Sequence, residues 1–402
     1  MAICRFPETG LVSARPFAHD ARPLQTAGRQ RREKMVGMKI LNLGAGGFIG
    51  AHLTERLLRD GHHVVGVDSH SDKVAELLDH PNLTFRETDI RSKDFDLQGL
   101  VQSADLVLDL IAHANPGLYV KMPLDVFRLN FDENMKIAEA CVEHGKRLIQ
   151  FSSCEVYGKT VSAILGDRLP DPESPDYATF SEDTTDLIMG PVGKHRWIYA
   201  CAKQLLERVL HAYGLEGQLN YSIIRPFNFI GPKIDYLPRD TDGVPRVFSY
   251  FMEALQRGEP MQLVGGGSNQ RCYTYIDDAI DCIARIVENE GGVCDRRIFN
   301  VGSAHNETTI RAMAEQMREI YRTAYLKPSE TLSEIIDVNP EDFYGPGYED
   351  SDRRIPDNQK ARQLLGWEPR WSFQDLLEKT MAYYIEEYPL LYASKAAPRA
   401  HA

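Results

Sequence analysis

No CxxC pair occurs among the seven cysteines of this 402-residue chain, which stand at positions 4, 141, 154, 201, 272, 282 and 294. An odd set without paired spacing offers no disulfide framework and no metal site, and a chain this long needs no such staples. Free thiols in a reducing, cytoplasmic compartment are the expectation. Long apolar runs are missing too. Leu106-Val107-Leu108 is bounded by Asp105 and Asp109, and nothing approaches the roughly 20 residues of a spanning helix, so no membrane partner is expected. Nor is there a basic surplus. The formal net charge is −12, and residues 1–34 hold seven Lys and Arg against three Asp and Glu, which leaves −16 on the rest. So acidic a body repels nucleic acid, and a phosphate-bearing ligand must be held by local arginines and backbone amides.

Residues 1–37 show no helical apolar period. They read as an extension outside the fold, compatible with an acid-poor targeting peptide or an extended start ahead of Met35 or Met38. From Met38 the pattern changes. An apolar run, Met38–Leu43, ends in Gly44-Ala45-Gly46-Gly47-Phe48-Ile49-Gly50 and passes into a stretch with apolar residues at helical spacing. Further buried runs follow at His63–Asp68, Leu106–Leu110, Leu148–Phe151 and Tyr221–Arg225, with helical segments between them. This alternation predicts an α/β fold, a Rossmann-type doubly wound parallel sheet with a smaller C-terminal substrate-binding domain. The expected boundaries are 38–225 for the NAD-binding domain, with 272–300 returning to it, 226–271 and 301–390 for the substrate domain, and 391–402 for a tail. Thr160–Asp183, rich in Pro, Asp and Ser, reads as a loop insertion.

The chemistry-bearing residues fall at the ends of these runs. Gly44, Gly47 and Gly50, with Phe48 and Ile49, have the spacing of a tight turn whose amides and helix N-terminus face a pyrophosphate. Asp68, 18 positions past Gly50, is placed to accept hydrogen bonds from a ribose diol and to repel a 2′-phosphate, so NAD is expected rather than NADP. Asp89 and Ile90 are read at the end of the next strand, against an adenine edge or as a solvated strand end. Tyr199 and Lys203 lie four apart on one helix face, and Ser153, upstream at a strand end, completes a Ser-Tyr-Lys set for removing a proton as hydride leaves. Beside Ser153 stand Cys154 and Glu155, two reactive groups beyond what a hydride transfer requires.

From Lys39 to about Tyr384 the chain resembles the extended short-chain dehydrogenase/reductases, and within them the UDP-glucuronic acid decarboxylases. The segments that carry the resemblance are Ser152-Ser153-Cys154-Glu155-Val156-Tyr157-Gly158, Gly190–Tyr199, Arg225-Pro226-Phe227-Asn228 and Phe343–Pro356. The resemblance implies that Glu155 and Arg354 serve decarboxylation, and that Arg196, Asn228, Arg246, Gln262, Arg271 and Tyr348 hold a UDP-sugar. It places Ala114 and Tyr119 in the same pocket and implies a homodimer joined through helices at Asp132–His144 and Tyr199–Tyr213. Apiose-forming members of the group carry cysteine at the Cys154 position, which points to UDP-apiose with or without UDP-xylose. They also carry a second cysteine where Ala114 stands. Release of UDP-4-keto-pentose with NADH, or another NAD-dependent nucleotide-sugar epimerase or dehydratase, therefore stays open.

Overall fold

The first strand, β1 (Lys39–Leu43), is buried along Ile40–Leu43 on both of its faces, as a central parallel strand must be when helices cover both sides of the sheet. The computed structural model describes residues 37–241, 245–339 and 353–389. Alternate β1 residues enter opposite layers. Ile40 packs with Leu53 and Leu57 of α1 (Phe48–Arg59), whereas Leu41 and Leu43 pack with Ile137, Leu206 and Leu210. Six more strands complete the sheet: β2 (His63–Asp68), β3 (Leu83–Glu87), β4 (Leu106–Asp109), β5 (Arg147–Phe151), β6 (Tyr221–Pro226) and β7 (Arg297–Val301). They are ordered β7-β6-β5-β4-β1-β2-β3 and all pair in parallel. In the β1 register Leu41 faces Val65 on one side and Val107 on the other. The order reverses between β1 and β4, and at such a switch point the carboxyl ends of the strands leave a crevice for a ligand. The doubly wound expectation holds, and β7, from late in the chain, forms one edge of the sheet.

Beyond β6 the chain builds short pairings around that crevice. Phe229–Ile230 runs parallel to Thr274–Tyr275, Gln270–Cys272 antiparallel to Glu307–Thr309, and Met261–Val264 parallel to Ile335–Val338. The Pro- and Asp-rich insertion is more ordered than its composition suggests. It holds a helical turn at Val161–Leu165 and a strand, Thr179–Phe180, that pairs with Ile355–Pro356. The segment after β2 forms a 3-10 turn over Asp72–Leu77 with only Val74 buried, because one apolar anchor does not hold a longer amphipathic face. One helical expectation changes. The helix read from Asp132 begins as a π-helical segment, Arg128–Glu133, and becomes regular at Asn134–Glu143. The wider turn directs two buried asparagines inward, Asn130 and Asn134. Among the described residues no helix is long and apolar enough to cross a membrane.

Candidate active site

The glycine turn at the end of β1 is shaped by contacts that leave no room for side chains. A Cβ on Gly46 would lie 1.9 Å from the His70 carbonyl oxygen and 3.0 Å from the Asp68 carboxyl, and one on Gly50 would lie 2.0 Å from the Gly44 carbonyl oxygen. Helix α1 starts directly after Gly47 with no side-chain cap and no acidic residue in its first turn, so its amides and dipole are left for an anion. The Asp68 carboxylate accepts from the Gly46 amide at 3.0 Å and the His70 amide at 3.1 Å. These residues fit a dinucleotide: a bare backbone for the pyrophosphate and a fixed carboxylate for the ribose. Asp89 and Ile90 lie just past the next strand. β3 ends at Glu87, and Asp89 folds back on the Arg91 amide at 2.8 Å and its guanidinium at 2.8 Å. Ile90 lines a separate cavity of about 210 Å³ with Phe95 and Ile137.

The main cleft, about 920 Å³, runs from Gly44–Gly50 past the ends of β4 and β5 to Arg271 and Gln262. Ser153 follows β5 and opens a 3-10 turn, Cys154–Tyr157, with its hydroxyl accepting the Glu155 amide at 3.1 Å. Its hydroxyl also hydrogen-bonds Tyr199, which α2 (Trp197–Leu215) brings to the cleft wall. The Tyr199 ring is 3% exposed and lies flat on Tyr119, centroids 4.8 Å apart and planes at 6°. Burial pushes its phenol up, and the Ser153 hydrogen bond opposes that. One turn on, Lys203 is held behind the wall by Asn134 Oδ1 at 3.0 Å and the Phe151 carbonyl at 3.1 Å.

Deeper in the cleft two guanidiniums share one carboxylate. Glu155 accepts from Arg196 Nη2 at 2.9 and 3.1 Å and pairs with Arg354 Nη1 at 2.8 Å. Both arginine side chains are 2% exposed, and Arg354 Nη1 also donates to Cys154 Sγ at 3.5 Å. Burial raises the Cys154 thiol, with Arg354 the main opposing influence. The direction favours the thiol form of Cys154 over the thiolate. At the far end stand Asn228, Arg246, Gln262 and Arg271. Asn228 adopts φ +42°, a left-handed conformation that asparagine tolerates better than most residues. Arg246 caps the start of helix Val247–Arg257 and is tied to Asp235 at 3.0 Å. Arg271 donates to the Gln270 carbonyl at 2.7 Å. Ala114 and Tyr119 also line the cleft, and Tyr348 lies outside the described residues.

The NAD dependent epimerase/dehydratase family model matches residues 40–302. The chain belongs to this family. NAD is accordingly its cofactor, as the glycine turn and Asp68 require. Among its relatives, the UDP-D-apiose/UDP-D-xylose synthase of Oryza sativa subsp. japonica is 43% identical over 362 residues, 87% of this chain and 90% of the rice protein. UDP-D-apiose/UDP-D-xylose synthase 1 of Arabidopsis thaliana is 42% identical over 361 residues, 87% of this chain and 92% of that protein. Among solved structures, the PbgP3 protein from Burkholderia pseudomallei superposes with a TM-score of 0.75 at 34% identity, covering 89% of this chain and 99% of that one.

This family member carries two site residues that no motif in its sequence announced. Asn134 holds Lys203 while donating to the Ile111 carbonyl at 3.3 Å, and the only trace of it in the sequence is a polar residue on an otherwise apolar helix face. Asp109, at the end of β4, is fully buried next to Lys203. Burial raises the Asp109 carboxyl to about 6 and lowers the Lys203 ammonium to about 8, each opposed by the other's charge. Unfolded, Asp109 releases its proton near the ordinary 3.8, and folded near 6. Between those values the native chain holds the extra proton, so stability falls as pH rises through the window and the loss is complete above it. Asp109→Asn lacks this titration. Urea unfolding is expected to show wild-type stability relative to Asp109→Asn falling by on the order of 2 kcal/mol between about pH 4 and about pH 6. A flat difference would show that the carboxylate ionises there at no cost.

Proposed function

We propose that this protein converts UDP-glucuronate to UDP-apiose and UDP-xylose, with NAD reduced and re-oxidised within each turnover. The observation that carries the reading is the Arg196–Glu155–Arg354 group, set in one cleft with Ser153 and Tyr199. The rice and Arabidopsis relatives support the same products. When bound, NAD supplies a hydride acceptor, later a hydride donor, and a positive charge next to the phenol. Tyr199 takes the C4 hydroxyl proton, assisted by Ser153 and by the Lys203 charge behind it. The product of that oxidation is a β-keto acid. As the C5–C6 bond breaks and carbon dioxide leaves, the electron pair passes to the C4 oxygen, and Arg354 stabilises the developing enolate. Glu155, between the two guanidiniums, manages the protons. Arg271 and Arg246 bind the diphosphate, Asn228 and Gln262 the sugar and base, and Asp68 the ribose of NAD.

Ring contraction needs a retro-aldol break between C2 and C3, re-closure to the smaller ring, and hydride return to the exposed aldehyde. Cys154, 3.5 Å from Arg354, is placed to donate a proton in that sequence. Replacing Cys154 with Ser is expected to leave carbon dioxide release within about threefold and to lower the apiose fraction by at least about threefold, read by proton NMR of the products. An unchanged ratio would make the thiol incidental. Ala114 in the cleft wall favours a second reading, in which the reaction ends at UDP-4-keto-pentose and NADH.

The deciding experiment incubates the purified protein with UDP-glucuronate and a catalytic amount of NAD. Carbon dioxide without NADH accumulation is expected, stoichiometric NADH favours the second reading, and absence of carbon dioxide overturns both. The division into an NAD-binding part (38–225 with 272–300) and a substrate part (226–271 and 301–390) belongs to the same proposal. So does a homodimer through the helices Asn134–Glu143 and Trp197–Leu215, supported by the exposed Leu205 and Leu215. The free thiols among the described cysteines support a cytoplasmic setting.

A further inference from the structure

Glu307 belongs to no motif and does not line the cleft, yet it grips the residue next to Arg354. Its strand, Glu307–Thr309, lies antiparallel to Gln270–Cys272, with Cys272 opposite Glu307 and Arg271 opposite Thr308. From that position Glu307 accepts both arms of the Arg353 fork: Nε to Oε1 at 2.6 Å and Nη2 to Oε2 at 2.7 Å. A bidentate pair of this kind fixes orientation as well as distance. Arg353 Nη1 reaches across to the Glu173 carbonyl of the insertion at 2.7 Å. On the other side of Arg354, the Ile355 amide donates to the Ala178 carbonyl at 3.0 Å and the Asp357 amide to the Phe180 carbonyl at 3.0 Å. Phe180 stacks on Tyr157, centroids 4.5 Å apart and planes at 6°, and Tyr157 ends the turn that carries Glu155. The backbone is thus anchored on both sides of Arg354, and the N-terminal anchor is Glu307.

We propose that Glu307 is a positioning residue for removal of the substrate carboxylate: through Arg353 it sets the reach of Arg354 and ties it to the strand that carries Arg271. The inference rests on the decarboxylase reading of the cleft. Arginine has a long side chain with costly rotamer freedom, and a misplacement of about 1 Å at a reacting group can cost on the order of a hundredfold in rate. A clamp on the neighbouring residue confines the guanidinium without occupying the cleft. It also gives the diphosphate end and the carboxylate end a common rigid support, since one two-stranded pairing bears Arg271 on one strand and the clamp on the other.

The test uses the full chain with Glu307→Gln, which preserves volume but removes the charge and one acceptor. Carbon dioxide release is expected to fall at least about tenfold in kcat with KM for UDP-glucuronate within about threefold. NADH formation in a single turnover, which depends on Tyr199 and Lys203, stays at the wild-type rate, so NADH accumulates in the variant. A merely structural role would slow both steps alike or change neither, and either result overturns the proposal. Should Glu307→Gln not fold, Arg353→Lys keeps the charge but loses the fork and is judged by the same outcomes. Calorimetry separates this inference from the reading beneath it. Wild type is expected to bind UDP-glucuronate at least about tenfold tighter than UDP-glucose, and Glu307→Gln to keep that preference within about threefold. A lost preference would place Glu307 in ground-state binding and count against the positioning role. No preference in wild type removes the decarboxylase reading, and the positioning role with it.

Discussion

Tyr199→Phe is expected to lower kcat for carbon dioxide release from UDP-glucuronate by about 10³-fold, within the range for loss of a positioned proton-transfer group. The substitution removes one oxygen and little else. The ring stays buried against Tyr119 at 4.8 Å and keeps its place on α2, so the thermal midpoint should hold within a few degrees. What disappears is the group proposed to carry the C4 proton, together with the hydrogen bond to Ser153. Burial raises this phenol, so its proton leaves only where positive charge offsets the desolvation, and Lys203, whose own burial lowers it to about 8, is the resident source. Because oxidation precedes decarboxylation, NADH formation in a single turnover should fall by the same factor as carbon dioxide release. A loss smaller than about tenfold would assign the proton to another residue.

The parts of the site that could be read in the sequence are those whose geometry is local. The glycine turn, Asp68 at the end of β2 and the four-residue spacing of Tyr199 and Lys203 each follow from one strand end or one helical turn, and the structure gathers them at the switch point. At Asp89 the sequence leaves two readings open. Its carboxylate accepts the Arg91 amide two residues on, an Asx-type turn just past the strand. Asn134 and Glu307 were illegible for a different reason. Asn134 matters because a π-helical segment turns it towards Lys203, 69 residues away in sequence. Glu307 matters because it meets Arg353, 46 residues away. Neither partner is implied by spacing, and both depend on packing that only the closed fold supplies. The insertion reads as loop in the sequence for the same reason, since its strand exists only through pairing with Ile355–Pro356.

Arg354→Ala should separate the two halves of the reaction. Its guanidinium is 2% exposed and paired with Glu155 at 2.8 Å, in a water-poor site where a fixed cation acts strongly on developing negative charge. Removing it is expected to slow carbon dioxide release by about 10²- to 10³-fold, the scale seen when a preorganised donor to an oxyanion is lost. Oxidation at C4, which the proposed mechanism assigns to Ser153, Tyr199 and Lys203, should proceed at a rate close to wild type. The variant would then accumulate NADH with little carbon dioxide, unlike Tyr199→Phe, which should form neither. Arg354→Lys discriminates charge from geometry. An ammonium keeps the positive charge but lacks the reach and planar donor set of the guanidinium, whose Nη1 meets both Glu155 and Cys154, so it should recover only about tenfold of the loss. Full recovery would mean that charge alone suffices. A parallel fall of NADH formation in Arg354→Ala would place Arg354 in substrate binding rather than in the breaking of the C5–C6 bond, and KM for UDP-glucuronate would then rise together with the drop in kcat.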